Sequence, residues 1–262
     1  MKRLLIVAGS DSSGGAGIQA DVKTASAFGV YAMTAITAIT VQNTVGVSAV
    51  ERITPENVYG QIEACLTDIG ADAIKTGMLV DAAIVEATAA ALKRYGEGIP
   101  LVVDPVMVAT SGAHLIDDAA VETMVRELFP LAALVTPNLP ETERLTGIAC
   151  QSRDDARAAG VKLMAMGAGA ALIKGGHKTE AVVEDWLFRP DGEKVFAEAR
   201  LDTRHTHGTG CTLASAIACG VAQGRPLADA VGRARAYVQR AIANAPGFGA
   251  GHGPLNHSVK AE

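Results

Sequence analysis

The chain is poor in aromatic and charged residues: Phe, Trp and Tyr make up 4% of its 262 residues, and Asp, Glu, Lys and Arg 19%. With 49% hydrophobic residues beside so little charge, a disordered or purely solvating chain is excluded and a large core is affordable. A basic excess is missing too. The formal net charge is −5, whereas a nucleic-acid partner calls for a basic face that displaces counterions from phosphates. The four cysteines, Cys65, Cys150, Cys211 and Cys219, form no Cys-x-x-Cys pair and have no histidine at metal-ligand spacing. That speaks against a zinc site or a disulfide scaffold and fits reduced thiols in the cytoplasm. Long apolar runs are absent as well: the run at 4–8 stops at Gly9-Ser10-Asp11, too short for a membrane span or a signal-peptide core, and reads as a buried strand. Linkers, low-complexity tracts and fixed-period repeats are missing, so residues 1–262 are expected to form one domain acting on a small molecule, with no nucleic-acid or membrane partner.

What is there is alternation. Apolar, β-rich runs at 4–8, 32–41, 49–53, 73–76, 101–104, 133–136, 170–174, 184–188 and 194–199 alternate with helical patterns. The helical patterns lie at 16–28, 55–69, 81–95, 117–128, 140–145, 153–166, 209–223 and 227–244. Mostly continuous apolar strands between helices predict an α/β fold with a mainly parallel central sheet covered on both faces. The turn sequence Arg189-Pro190-Asp191-Gly192 predicts an antiparallel hairpin at one edge.

In such sheets ligands gather at the carboxyl ends of the strands. There the chain is polar and glycine-rich: Gly9-Ser10-Asp11-Ser12-Ser13-Gly14-Gly15-Ala16-Gly17 follows the first strand and Gln42-Asn43-Thr44 the second. Gly77-Met78 follows the fourth, and Asp104-Pro105-Val106-Met107 ends the fifth. Thr136-Pro137-Asn138-Leu139-Pro140-Glu141 and Lys174-Gly175-Gly176-His177 end the sixth and seventh. A further loop, His207-Gly208-Thr209-Gly210-Cys211-Thr212, opens a helix of small apolar residues. Its first-turn N–H groups would attract an anion, and Cys211 would stand in a field that favours the thiolate. The alternative for this stretch is a glycine turn into a packed helix, with Cys211 as a small buried residue.

Gly15-Ala16-Gly17-Ile18-Gln19-Ala20 matches the dinucleotide pattern, but Asp11-Ser12-Ser13-Gly14 separates it from the strand. The next strand also ends in Gln42-Asn43, where an acid should hold a ribose. No G-x-x-x-x-G-K-[ST] loop occurs. The polar strand ends instead suit phosphoryl transfer without a P-loop, which needs donors and a cation around a γ-phosphate and carboxylates for Mg²⁺. Lys174 can supply the cation and the backbone at 208–211 the donors. Asp104 and Glu141 can supply the carboxylates, and Asn138 can order metal-bound water. Each has a plainer alternative: Asp104 before Pro105 can end a strand, and Asn138 with Glu141 fits a capped helix start. A lone Lys at a strand end is commonly a solvated rim residue. Their occurrence together at four strand ends favours one site.

These residues carry a resemblance. The segments from Ala8 to Asp21, Lys75-Thr76-Gly77-Met78-Leu79, Asp104 to Met107, Thr136 to Glu141, Lys174 to His177 and His207 to Thr212 resemble the hydroxymethylpyrimidine/phosphomethylpyrimidine kinases of thiamine biosynthesis, in the same order. The resemblance implies a ribokinase-like three-layer α/β/α sandwich, a homodimer, and ATP with Mg²⁺ as phosphoryl donor. It implies phosphorylation of 4-amino-5-hydroxymethyl-2-methylpyrimidine to the monophosphate and then to the diphosphate. Carried over by motif, Gln42 hydrogen-bonds the aminopyrimidine ring, Gly9, Ala16, Met78 and Val106 line its pocket, and Asp21 adds a polar contact. The N–H groups of Gly208, Thr209 and Gly210 hold the transferring phosphate. Cys211, where much of the wider superfamily has Asp, accepts the hydroxymethyl proton. Lys174 and Asn138 serve the nucleotide phosphates and Asp104 and Glu141 the metal. The helix at 227–244 is expected to wall the nucleotide cleft, and the pieces at 109–112 and 175–178 to be mobile loops beside it. His177 and His207 stay open between ligand and loop residue.

Two other readings compete. A pyridoxal or pyridoxine kinase shares the fold, but Val41-Gln42-Asn43-Thr44 resembles the pyrimidine kinases, whereas B6-active relatives carry a Met-Asp-Pro type of sequence there. A non-catalytic pyrimidine-binding protein is opposed by intact Lys174, Asp104, Glu141 and Cys211.

Overall fold

The computed structural model describes residues 1–108, 112, 115–176 and 180–261. Among them the apolar runs become β1 (Arg3–Asp11), β2 (Tyr31–Gln42), β3 (Val47–Arg52), β4 (Ala73–Thr76), β5 (Leu101–Val103), β6 (Ala132–Val135), β7 (Ala171–Lys174), β8 (Val182–Arg189) and β9 (Gly192–Ala199). They form one sheet in the order β3-β2-β1-β4-β5-β6-β7-β8-β9. The run from β2 through β1 to β7 is parallel, and β8 and β9 continue it antiparallel, with the expected hairpin at the far edge.

The other edge departs from expectation: β3 is antiparallel to β2. Only residues 43–46 separate the two strands, and a parallel return needs a crossover of a dozen residues or more. Asn43 closes that turn, its Oδ1 accepting the N–H groups of Val45 and Gly46.

Strands buried on both faces split their side chains between two cores. In β1, Leu5 and Val7 join one core while Leu4, Ile6 and Ala8 join the other. Burying each Leu, Ile or Val among them is worth ~1.5–3 kcal/mol, so the central strands anchor the layers on both sides. The first core is covered by α2 (Pro55–Ala64), α3 (Ala82–Tyr95), α4 (Asp118–Glu127), α5 (Leu139–Thr146) and α6 (Arg153–Ala165). The second is covered by α1 (Gly17–Ala27), α7 (Thr209–Ala222) and α8 (Leu227–Ala243). The helix expected at 55–69 changes pitch at its end. A π-helical turn spans Cys65–Ile69, with Gly70 N–H donating to Cys65 O at 3.0 Å and Thr67 Oγ1 donating back to Glu63 O at 2.7 Å.

Helix starts fall into two kinds. Thr54, Asp81, Asp117, Asn138 and Ser152 cap α2 to α6 with their side chains. By contrast, α1 and α7 begin with no side-chain cap and no acid in the first turn. Their first-turn N–H groups are left to other acceptors.

Of the expected mobile pieces, Ala109, Thr110, Ser111, His177 and Lys178 lie outside the described residues. No helix among the described residues is long and apolar enough to cross a membrane.

Candidate active site

The carboxyl ends of the parallel strands open into a cleft of about 1230 Å³. It is lined by thirteen of the residues singled out from sequence: Gly9, Ala16, Gln42, Met78, Asp104, Val106, Asn138, Glu141, Lys174, Gly208, Thr209, Gly210 and Cys211. Val238, Gln239 and Ile242 of α8 also face it, as expected of the helix at 227–244.

The loop into α7 owes its shape to Gly208. Its φ is +84°, and a Cβ there would run into the Gly15 carbonyl, so only glycine fits. Gly208 O accepts the N–H of Thr212 at 2.9 Å and starts the helix. Thr209 departs from expectation: its N–H and its Oγ1 both donate to Thr206 O, at 3.2 and 2.7 Å. Among the described residues, no backbone acceptor takes the N–H groups of Gly208, Gly210 and Cys211, which leaves these three open to an acceptor in the cleft.

Beside this loop, Lys174 Nζ donates to Asp104 Oδ1 at 2.9 Å, and Thr136 Oγ1 donates to the same oxygen at 3.0 Å. Asp104 Oδ2 points toward Gly210, 3.7 Å from the position of an added Cβ. Burial pulls the Lys174 amine down, but Asp104 and Glu141 outweigh it and hold it charged. Asn138 and Glu141 do form the capping box that was the plainer alternative. Glu141 N–H donates to Asn138 Oδ1 at 2.9 Å, and Asn138 N–H donates to Glu141 Oε2 at 2.8 Å. Glu141 is nevertheless buried at the cleft wall, and burial, with Asp104 adding to it, lifts its carboxyl above the usual range. A cation nearby would favour its ionised form.

Among the described residues, no group of three or more His, Cys, Asp or Glu could hold a metal ion. Two carboxylates fit a hard divalent cation that completes its shell with water and substrate phosphates. The open Oδ2 of Asp104 suits that donor set.

Two expectations need correction. Asp21 does not line the cleft: it is fully buried, accepting from Lys75 Nζ at 2.8 Å and from Ser215 Oγ at 2.7 Å. A carboxylate on the buried face of α1 requires a cation, and Lys75 on β4, itself fully buried, provides it. The Cys211 thiol is not held as a thiolate. Burial pushes it up to about 11, the Lys75 charge pulls it back only in part, and Asp21 and Asp104 oppose ionisation. A Gly17 N–H hydrogen bond favours the thiolate, yet the thiol is protonated at neutral pH.

Further residues join the site. His207, left open between ligand and loop residue, has its Nε2 2.8 Å from Asp11 Oδ2, so the last loop is joined to the end of β1. On the donor side, Asp185 accepts the Gly175 N–H at 2.8 Å and pairs with Arg235 Nε at 2.9 Å, all but shut off from solvent. That pair fixes the turn after Lys174 to β8 and α8. A charged residue within an apolar strand was the readable signal for Lys75; Asp185 beside Glu184, and Arg235 among Asp229, Arg233 and Arg240, carried none.

His257 props the first turn of α7, its Nε2 lying 2.9 Å from Thr212 Oγ1, and burial, aided by the Lys23 charge, lowers its imidazole to about 4. The unfolded chain therefore binds a proton near pH 6.5 that the folded chain refuses until about pH 4, so stability is lost as pH falls through that window. The loss should reach about 2 kcal/mol by pH 5. Urea unfolding at pH 7.5 and pH 5 should show this slope in the wild type and not in His257→Gln; equal slopes would remove His257 as the cause.

Comparison with known proteins identifies the family and the fold. The sequence profile of the phosphomethylpyrimidine kinase family matches residues 11–256. The chain is 49% identical over 259 residues to the thiamine biosynthesis bifunctional protein of Geobacter sulfurreducens, covering 99% of itself but only 53% of that longer protein. It is 44% identical over 256 residues to the hydroxymethylpyrimidine/phosphomethylpyrimidine kinase of Bacillus subtilis, covering 97% of itself and 94% of the relative. Among solved structures, phosphomethylpyrimidine kinase from Clostridium difficile is 42% identical with a TM-score of 0.82, over 92% of this chain and 100% of that one. An ADP complex of Bacillus subtilis pyridoxal kinase has a TM-score of 0.89 at 35% identity, over 98% of each chain. The fold is thus common to kinases of both vitamins, while sequence similarity runs to the pyrimidine side. The chain belongs to the phosphomethylpyrimidine kinase family.

Proposed function

We propose that this chain transfers the γ-phosphoryl group of ATP to the hydroxymethyl oxygen of 4-amino-5-hydroxymethyl-2-methylpyrimidine, and then a second phosphoryl group to the resulting monophosphate. One observation carries the reading: the uncapped start of α7, with Cys211, lies directly beside the Lys174–Asp104 pair in a cleft that Gln42 and Met78 also line. In the first step the new bond joins the hydroxymethyl oxygen to the γ-phosphorus as the bond to the β-phosphate oxygen breaks and ADP leaves. Negative charge on the passing phosphoryl oxygens meets the Gly210 and Cys211 N–H groups and Lys174. Asp104 and Glu141 would hold Mg²⁺, aided by Asn138, and the ion supplies neutralisation of phosphate charge. Gln42 orients the ring, and Gly9, Ala16, Met78 and Val106 shape its pocket. In the second step a phosphate oxygen is already ionised and needs no base.

The protein acts as one kinase domain in the cytoplasm. A homodimer is supported by Ile39, Val41 and Val50, apolar side chains left exposed on the antiparallel β2–β3 edge.

A coupled ADP-release assay tests the reading. The alcohol and its monophosphate should both elicit ADP release with Mg-ATP, and pyridoxine should do so far more slowly. Pyridoxine as the best acceptor would transfer the chain to the B6 kinases, and no release with any of the three would leave a binding protein.

A further inference from the structure

Gln42 ends β2 at the cleft wall, and its amide lies between Thr40 Oγ1, at 3.0 Å, and His207 Nε2, at 3.4 Å. Which end is oxygen and which nitrogen is decided by the hydrogens of the neighbours. Asp11 Oδ2 accepts the N–H groups of Gly15 and Ala16, at 3.1 and 2.8 Å, and faces His207 Nε2 at 2.8 Å. Burial raises the Asp11 carboxyl, but hydrogen bonds from His207, Ser13 and Ala16 outweigh it and hold the group below the usual carboxylate range. An ionised carboxylate only accepts, so the His207 nitrogen facing it carries a hydrogen. That nitrogen cannot accept from Gln42.

The other end agrees. Thr40 has one hydroxyl hydrogen and lies 2.9 Å from Ser10 O, which takes it. Its lone pairs are then open to an amide N–H. Both neighbours therefore favour the Gln42 nitrogen toward Thr40 and the Gln42 oxygen toward His207 Nε2, whose one hydrogen goes to Asp11 at 2.8 Å and reaches Gln42 at 3.4 Å only as a longer, shared contact.

We propose that Asp11 and His207 are positioning residues that set the rotational state of the Gln42 amide, so that one N–H and one oxygen lone pair face the cleft side by side. That pair is the complement of a ring N=C–NH₂ edge, the pattern that an amide side chain reads in adenine. The inference rests on the aminopyrimidine reading above and adds what distinguishes that ring. A 4-oxo pyrimidine, with N–H beside C=O, presents the reverse pattern and sets donor against donor. Asp11, Thr40, Gln42 and His207 all line the cleft, so such a mismatch would be made away from bulk water.

The test is a selectivity ratio. ADP release is measured with the 4-amino alcohol and with its 4-oxo counterpart, and kcat/KM is compared in the wild type, His207→Phe and Asp11→Asn. The wild type should prefer the amino ring by at least ~100-fold, as sites built around a substrate hydrogen bond do. His207→Phe removes the protonated ring nitrogen that turns the amide N–H away and draws the amide oxygen to that side. Asp11→Asn offers His207 a donor, so the ring nitrogen can shed its hydrogen and Gln42 can turn over. In both variants the ratio should fall at least ~10-fold, a change that general loss of structure does not produce. Thr40→Val removes the anchor at the opposite end of the amide and should act in the same direction; it decides the matter if neither of the other variants folds. A ratio within twofold of wild type in the folded variants overturns this inference alone. A wild type inert to both rings overturns the kinase reading and this inference with it.

Discussion

Cys211→Ala should lower the turnover of the first phosphorylation by ~10²–10⁴-fold, the range for loss of a positioned proton acceptor. Binding of the aminopyrimidine should change little, because Gln42 and the pocket around Gly9 and Met78 remain. The chemistry is constrained by the thiol lying near 11: only the small thiolate fraction can accept the hydroxymethyl proton at neutral pH. A loose transition state tolerates this, since the proton leaves late. Wild-type turnover in the first step should therefore climb with pH over the neutral and mildly alkaline range, and the alanine variant should lose that climb. The second step, with an ionised phosphate oxygen as nucleophile, should be hurt less. Equal losses in both steps, or near-normal turnover of the alcohol, would take Cys211 out of proton transfer and leave it as a filler of the cleft floor.

Lys75→Met should be the most damaging single change to stability among the residues beneath the cleft. It leaves Asp21 as a buried carboxylate with only Ser215 as partner. Breaking one side of a buried ion pair costs ~3–5 kcal/mol, which for a chain of this size is a fall of roughly 6–20 °C in Tm. Replacing both partners, as in Asp21→Leu with Lys75→Met, should recover most of the loss, since no charge is then stranded. Urea unfolding of the three variants measures both effects. A loss below about 1 kcal/mol in Lys75→Met would mean that Asp21 takes up a proton instead of a charge.

Much of the architecture was legible because the strands are apolar on both faces and end abruptly in Gly, Asp or Lys. The runs at 73–76 and 101–104 needed no periodicity to be read, only their limits. The antiparallel entry of β3 went unread, although the gap at 43–46 is too short for a crossover. The site was readable wherever a polar motif sits directly at a strand end, as at Asp104, Asn138 and Lys174. It was not readable where function depends on partners far apart in the chain. Asp21 looked like a ligand contact because it follows a glycine-rich motif, but its place on the buried face of α1 is a matter of helix phase against Lys75 on another element. Asp11 and His207, 196 residues apart, meet only because the sheet brings the ends of β1 and α7 together. Cys211 shows a third limit: the field of a helix start is visible in sequence, whereas the burial that outweighs it is not.

The close fit of Gly208 against the Gly15 carbonyl joins the loop after β1, to which the proposed function gives the pyrimidine, to the loop before α7, to which it gives the phosphate. There is no room between them for a side chain. Under the two-step reaction, a substrate grown by one phosphate meets the same wall as the alcohol did. The difference in length must then be absorbed by the substrate sliding along the cleft, so the two phosphorylations would share one catalytic loop and differ in where the ring comes to rest.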